Sequence, residues 1–265
     1  WGTWVKTWKP DPIIWHPDKV ICFSGWVDVE QALGTCAGMV FPSRGERWLS
    51  VGGGNCDSKN PSNPIDVSWN TAKVQKLIDT VKRGGITGYA GIMLDLETSG
   101  PGCKVALQLS QGARCGAKLK EDTYGDGPSA ALLQEAYAAI KAKGMKVGVT
   151  WSYNIPYCMM NAQEIVRGAL SDSNVDLISP QMYARGEAFT DAPAWRWNGQ
   201  PTLGYADYLG AKGSIVPTFK PANGLTDVME ISTDIASQHG VMIDDAVSKG
   251  FTDFANSPGC FAFQD

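Results

Sequence analysis

The sequence predicts a single α/β domain, residues 1–265, in which eight strands and their helices form a (β/α)8 barrel. Three observations predict it. Short apolar runs recur eight times along the chain, and amphipathic segments with legible ends lie between several of them. No G-x-G-x-x-G phosphate turn follows an early run, which weakens the doubly wound, nucleotide-binding alternative.

The runs are taken in order. Residues 2–8, GTWVKTW, alternate as a strand does, and 19–26, KVICFSGW, read as a buried one. The third run, 47–54, ends in glycines, and the fourth is contained in YAGIMLDLETSGPG, residues 89–102. KVGVTWSYN (146–154), VDLISPQMY (175–183), SIVPTF (214–219) and CFAF (260–263) complete the eight. The chain ends two residues after the last run, so the closing helix is missing or the barrel is incomplete.

Helices are expected over 71–83, where Val74, Leu77, Ile78 and Val81 keep helical spacing ahead of Gly84 and Gly85, and over 129–143, with Leu133, Ala136, Tyr137 and Ile140 ahead of Gly144. A third is expected over 161–170, where Asn161 and Glu164 have capping-box spacing. Thr226 and Asp227 have the chemistry to cap a fourth over 227–238, and a fifth covers 241–249. Glycine-, proline- and asparagine-rich patches at 54–64 and 99–128 read as long loops after the third and fourth strands. In barrels, that is the face on which sites are built.

Composition removes several function classes. A net charge of −4 without a basic stripe gives no reason to expect a nucleic-acid partner, and no run approaches the length of a membrane span. Two histidines, and seven cysteines at 22, 36, 56, 103, 115, 158 and 260 with no C-x-x-C pair, argue against a metal site. No cofactor is expected. Disulfides with some free thiols fit better: Cys103 and Cys115 are the best pair by sequence, and the odd count leaves a thiol free or available for assembly with another chain. The opening on Trp1, with neither Met nor an apolar leader, fits a mature secreted protein, as do the cysteines.

The candidate chemistry begins with Asp95 and Glu97. Strand alternation places them on one face with Met93 and Gly91, at the end of a run that is apolar on both faces, where two carboxylates need a reason. SVGGG (50–54) ends the third run, LDLE (94–97) the fourth and QMY (181–183) the sixth. In this order and at these strand ends the chain resembles glycoside hydrolase family 18, the chitinases and endo-β-N-acetylglucosaminidases. That family carries S-x-G-G on strand three, D-x-x-D-x-D-x-E on strand four and a Met/Gln-x-Tyr motif on strand six.

The resemblance implies Glu97 as general acid, with Asp95 orienting the substrate's acetamido group and Tyr183 touching that group. The 2-acetamido oxygen attacks its own anomeric carbon, so the enzyme supplies an acid and a stabiliser but no nucleophile. Gln181, Trp151, Tyr153, Phe263 and Met93 complete the expected substrate site, with Trp4, Trp8, Trp26 and Trp195 as further aromatic surfaces for sugar. Two positions depart from the motif: its first two aspartates are Ala90 and Met93 here. Phe263 stands where the family tends to have a floor tryptophan. The implied partner is chitin or another N-acetylglucosamine-containing glycan. A non-catalytic carbohydrate-binding protein and a structural, storage or inhibitory protein on the same scaffold are the alternatives.

Overall fold

A computed structural model describes residues 2–3, 19–39, 41, 45–53, 69–96, 127–152, 161–181, 196–197, 200–201, 210–215, 218–219 and 229–230. Six parallel strands lie side by side in chain order: β1 (Gly2–Thr3), β2 (Lys19–Cys22), β3 (Glu46–Gly52), β4 (Gly91–Asp95), β5 (Lys146–Ser152) and β6 (Leu177–Gln181). Every residue of β4 is buried, as its two-sided apolar pattern requires of a strand covered on both faces.

Four helices cover one face of this curled sheet. They are α1 (Val29–Cys36), α2 (Thr71–Lys82), α3 (Ala130–Ala142) and α4 (Ala162–Ser171). The last three match the expected segments to within a residue or two. Asn70 and Ser129 cap α2 and α3 by accepting from the amides of Lys73 and Leu132. Gly84 (φ 77°) and Gly144 (φ 74°) take the left-handed conformation that stops each helix. Helix α1 was not expected from the sequence; Asp28 caps it, its Oδ1 accepting from the amides of Glu30 and Gln31 at 3.0 and 3.1 Å.

At α4 the expected capping box does not form. Asn161 stands at the N-cap without a side-chain cap bond. Its amide instead reaches across to the segment before α3, accepting from Gly127 N at 2.8 Å and donating to Pro128 O at 3.1 Å. The polar group that local spacing assigns to the helix is taken by a tertiary contact.

The described residues do not form the expected closed eight-stranded barrel. The sheet is an open, curled half-barrel. Beyond β6 the seventh expected run lies alongside as two short strands, β9 (Ser214–Ile215) and β10 (Thr218–Phe219), both parallel to β6. Next comes β11 (Met229–Glu230), antiparallel to β10, so the described sheet does not return to β1. This strand also overturns the start of the helix expected over 227–238. Connection length explains why β11 runs antiparallel to β10. Only residues 220–228 separate β10 from β11, fewer than the dozen or more that a parallel crossover needs. A separate antiparallel pair joins β7 (Arg196–Trp197) to β8 (Gln200–Pro201). The helix expected over 241–249 and the run at 260–263 lie outside the described residues.

Burial divides by face. Leu49, Val51, Ile92, Leu94, Val147, Val149 and Ile178 meet the helices in the main core, while Ile21, Trp48, Met93 and Leu177 pack together on the inner face. Cys22, at the end of β2, is disulfide-bonded to Cys36, at the end of α1. Such a bond is compatible with an extracellular, oxidising setting. The other five cysteines, Cys103 and Cys115 among them, lie outside the described residues. Among the described residues no helix is long and apolar enough to cross a membrane.

Candidate active site

Register sets the inner face row by row. Trp48 lies beside Gly91, and Ser50, Met93, Gly148 and Leu177 form the next row. Above it, toward the C-terminal ends of the strands, Gly52, Asp95, Thr150 and Ser179 are aligned. Strand alternation sends the side chains of both rows to the face away from the helices, because the intervening residues Val51, Leu94 and Val149 belong to the helix-side core.

The lower row is filled by shape. A Cβ at Gly91 would lie 2.6–2.7 Å from the Trp48 indole, and one at Gly148 would lie 2.9 Å from both Sδ and Cε of Met93. The two glycines therefore make room for an indole and a thioether, which leaves residue 93 apolar and fully buried. A thioether is at best a weak acceptor and cannot share a proton with a carboxylate. Ser50 Oγ, beside Met93, is buried and has no hydrogen-bond partner among the described residues.

The upper row is polar and equally buried: Asp95, Thr150 and Ser179 are 0%, 1% and 3% exposed. Thr150 Oγ1 donates to the Ser179 carbonyl at 2.6 Å. The backbone that delivers Asp95 is held from both neighbouring strands. Leu96 N donates to Thr150 O at 2.8 Å, and Asp95 O accepts from Gly53 N at 3.1 Å. A second donor reaches the same carbonyl: the indole Nε1 of Trp69, at 2.7 Å.

The glycine turn is fitted to this carbonyl. Gly52 has φ 116°, and a Cβ there would stand 2.1 Å from Asp95 O. Gly52 N in turn donates to Trp26 O at 2.7 Å, tying the loop after β2 into the same edge. The Ser-Val-Gly-Gly segment therefore exists in part because a neighbouring main chain passes too close for any side chain.

The expected site residues are placed as follows. Asp95 and Met93 share the inner face in adjacent rows. Gln181 is placed by its backbone, in register with Ser152 and Thr218. Trp151 is fully buried in the helix-side core, on the opposite face of the sheet from Asp95; one residue of strand parity separates it from Thr150. Trp26 is half-buried against that same core. Glu97, Tyr183, Tyr153, Phe263, Trp4, Trp8 and Trp195 lie outside the described residues. Trp69 was not a sequence candidate; it stands one residue before the cap of α2, and no spacing to a motif marks it.

Chemically, the described part of the site offers one buried carboxylate at the C-terminal strand edge, with Gly52 on one side and the hydroxyl-bearing Thr150 and then Ser179 on the other, over an apolar floor. It suits accepting a hydrogen bond from a ligand N–H or O–H. Among the described residues no group of three or more His, Cys, Asp or Glu side chains could hold a metal ion. Compared with known proteins, the chain matches no family model and no curated protein.

Proposed function

We propose that this chain is a secreted, family-18-like glycoside hydrolase acting on β-1,4-linked N-acetylglucosamine polymers or glycans by the retaining, substrate-assisted route. The observation that supports it most is the position of Asp95: a buried carboxylate at the C-terminal end of β4, beside the Ser50-Val-Gly-Gly turn whose glycines close on its backbone. In this reading Asp95 accepts the acetamido N–H and so aims the acetamido oxygen at the anomeric carbon. Glu97, two residues on, protonates the leaving oxygen and then deprotonates the water that opens the cyclic intermediate. Tyr183, Gln181, Tyr153 and Phe263 are its further sugar contacts.

A second reading is favoured by one specific observation. Met93, lodged against Gly148, puts a thioether where the family's motif has a second aspartate, and a thioether shares no proton with a carboxylate. A protein that binds such glycans without turnover requires only the acceptor. Hydrolysis of a fluorogenic chitotriose substrate by the wild type and by Glu97→Gln decides. Turnover in the first and none in the second supports the hydrolase. Binding of chitin oligomers without turnover supports the second reading, and neither activity refutes both.

A further inference from the structure

We infer that Trp69 is a positioning residue for the site: its indole N–H fixes the peptide through which β4 presents Asp95. The inference rests on the sugar-site reading above and adds to it a residue that the family motif does not contain. Three residues from two separate parts of the chain converge on one carbonyl. The turn after β3 supplies Gly53 N at 3.1 Å, and the residue before the α2 cap supplies Trp69 Nε1 at 2.7 Å. Gly52 supplies the absence of a side chain, since a Cβ there would meet Asp95 O at 2.1 Å and Trp69 Cζ2 at 2.9 Å.

That carbonyl belongs to the Asp95–Leu96 peptide. The other edge of the segment is held by Leu96 N donating to Thr150 O at 2.8 Å. With both edges held, the plane of this peptide is set. Trp69 is 1% exposed, so its N–H has no solvent to turn to, and the bond forms in a setting where losing it leaves a polar group short of a partner.

The test compares the full-length protein with Trp69→Phe, which keeps an aromatic ring and removes the donor, and with Ile140→Val, a core change in the helix layer. The backbone 13C′ resonance of Asp95 is read without sugar, and chitotriose binding and hydrolysis are read in the same three proteins. The inference expects the Asp95 resonance to move in Trp69→Phe, chitotriose kcat/KM or affinity to fall about tenfold, and Ile140→Val to change neither. An unmoved Asp95 resonance overturns it, as does an equal loss of sugar function in Ile140→Val. Should the wild type take no sugar while the resonance moves, the sugar reading falls and the backbone latch stands. Hydrogen exchange of the Trp69 indole in the wild type needs no variant: slow exchange supports the latch, and exchange at the rate of free indole overturns it.

Discussion

Adding a single methyl group at Gly148 probes how the inner face is packed. The new Cβ would lie 2.9 Å from Met93 Sδ and Cε and 3.0 Å from Trp48 Cζ3, all tighter than ordinary van der Waals contact. The thioether end can swing, but the indole behind it cannot retreat, because its own ring sits over Gly91 at 2.6–2.7 Å from where a Cβ would be. Gly148→Ala is therefore expected to destabilise by about 1–3 kcal/mol through overpacking. Met93→Ala, at a site with no exposure, is expected to cost about 2–5 kcal/mol through the cavity it leaves. In the double variant the new methyl enters space the thioether vacated. The combined loss should then fall short of the sum by about 1 kcal/mol or more. Urea unfolding followed by far-UV circular dichroism, with the disulfide intact and slopes compared across the four proteins, measures the cycle. Additivity to within about 0.3 kcal/mol would refute the claim that Met93 occupies the room Gly148 leaves.

Three further outcomes are expected. Replacing Cys22 and Cys36 together by alanine opens a link spanning 14 residues and should lower unfolding free energy by about 3 kcal/mol, read by urea titration; an unchanged midpoint would show the bond contributes nothing. Tyr137 is buried, and its hydroxyl has no hydrogen-bond partner among the described residues; burial first, and Asp172 second, push its ionisation far above the usual range. Tyr137→Phe removes that stranded hydroxyl and should be neutral to stabilising by about 1 kcal/mol, so a clear loss in Tm would reveal a partner. Burial raises the Glu46 pKa, but bonds from Lys146 and Trp48 and the nearby Lys19 outweigh it, holding the carboxyl below its usual 4.5. A depressed carboxylate contributes stability that is present above its unfolded value and lost as pH falls through the folded one. Unfolding free energy should thus decline below about pH 4.5, and Lys146→Met should flatten that decline by about 1 kcal/mol or less, since Lys146 is 45% exposed.

Local signals were legible and distant pairings were not. Helices α2 and α3 announce themselves because spacing, an Asn or Ser cap and a terminal glycine all act within one or two turns. Strands β3 to β5 announce themselves because burial on both faces leaves continuous apolar runs. The expected barrel is not reached by the described strands because closure depends on what pairs beyond β6. Thr226-Asp227 has the chemistry of a helix start, yet the segment it introduces pairs with β10 after too short a connection for a crossover. The hairpin of β7 and β8 was readable in principle from Asn198-Gly199 between two tryptophan-bearing and glutamine-bearing ends. In the site, the face of Asp95 follows from alternation alone. Trp151 needed the register between β4 and β5, which places Thr150 rather than Trp151 beside Asp95. Trp69 needed the tertiary approach of α2 to the end of β4, and a lone tryptophan carries no such information.

The order of rows along the inner face bears on what Asp95 can do. At the N-terminal edge Glu46 is ion-paired with Lys146, and Trp48 Nε1 donates to the same carboxylate at 3.2 Å. Next come the indole of Trp48 over Gly91 and the thioether of Met93 over Gly148, an apolar plug with no exposure. Asp95 sits above it. From Glu46 to Gly52, the register partner of Asp95, is six residues, or about 20 Å of strand. At an effective dielectric near 20 a single charge at that range contributes about 0.8 kcal/mol, and the two members of the Glu46–Lys146 pair largely cancel each other. The distant ion pair therefore exerts little field on Asp95, whose main chain is held from the C-terminal edge by Gly53 N, Trp69 Nε1 and the close approach of Gly52. Met93 has no proton to share and, packed with Trp48, separates Asp95 from the charges at the far end of the sheet.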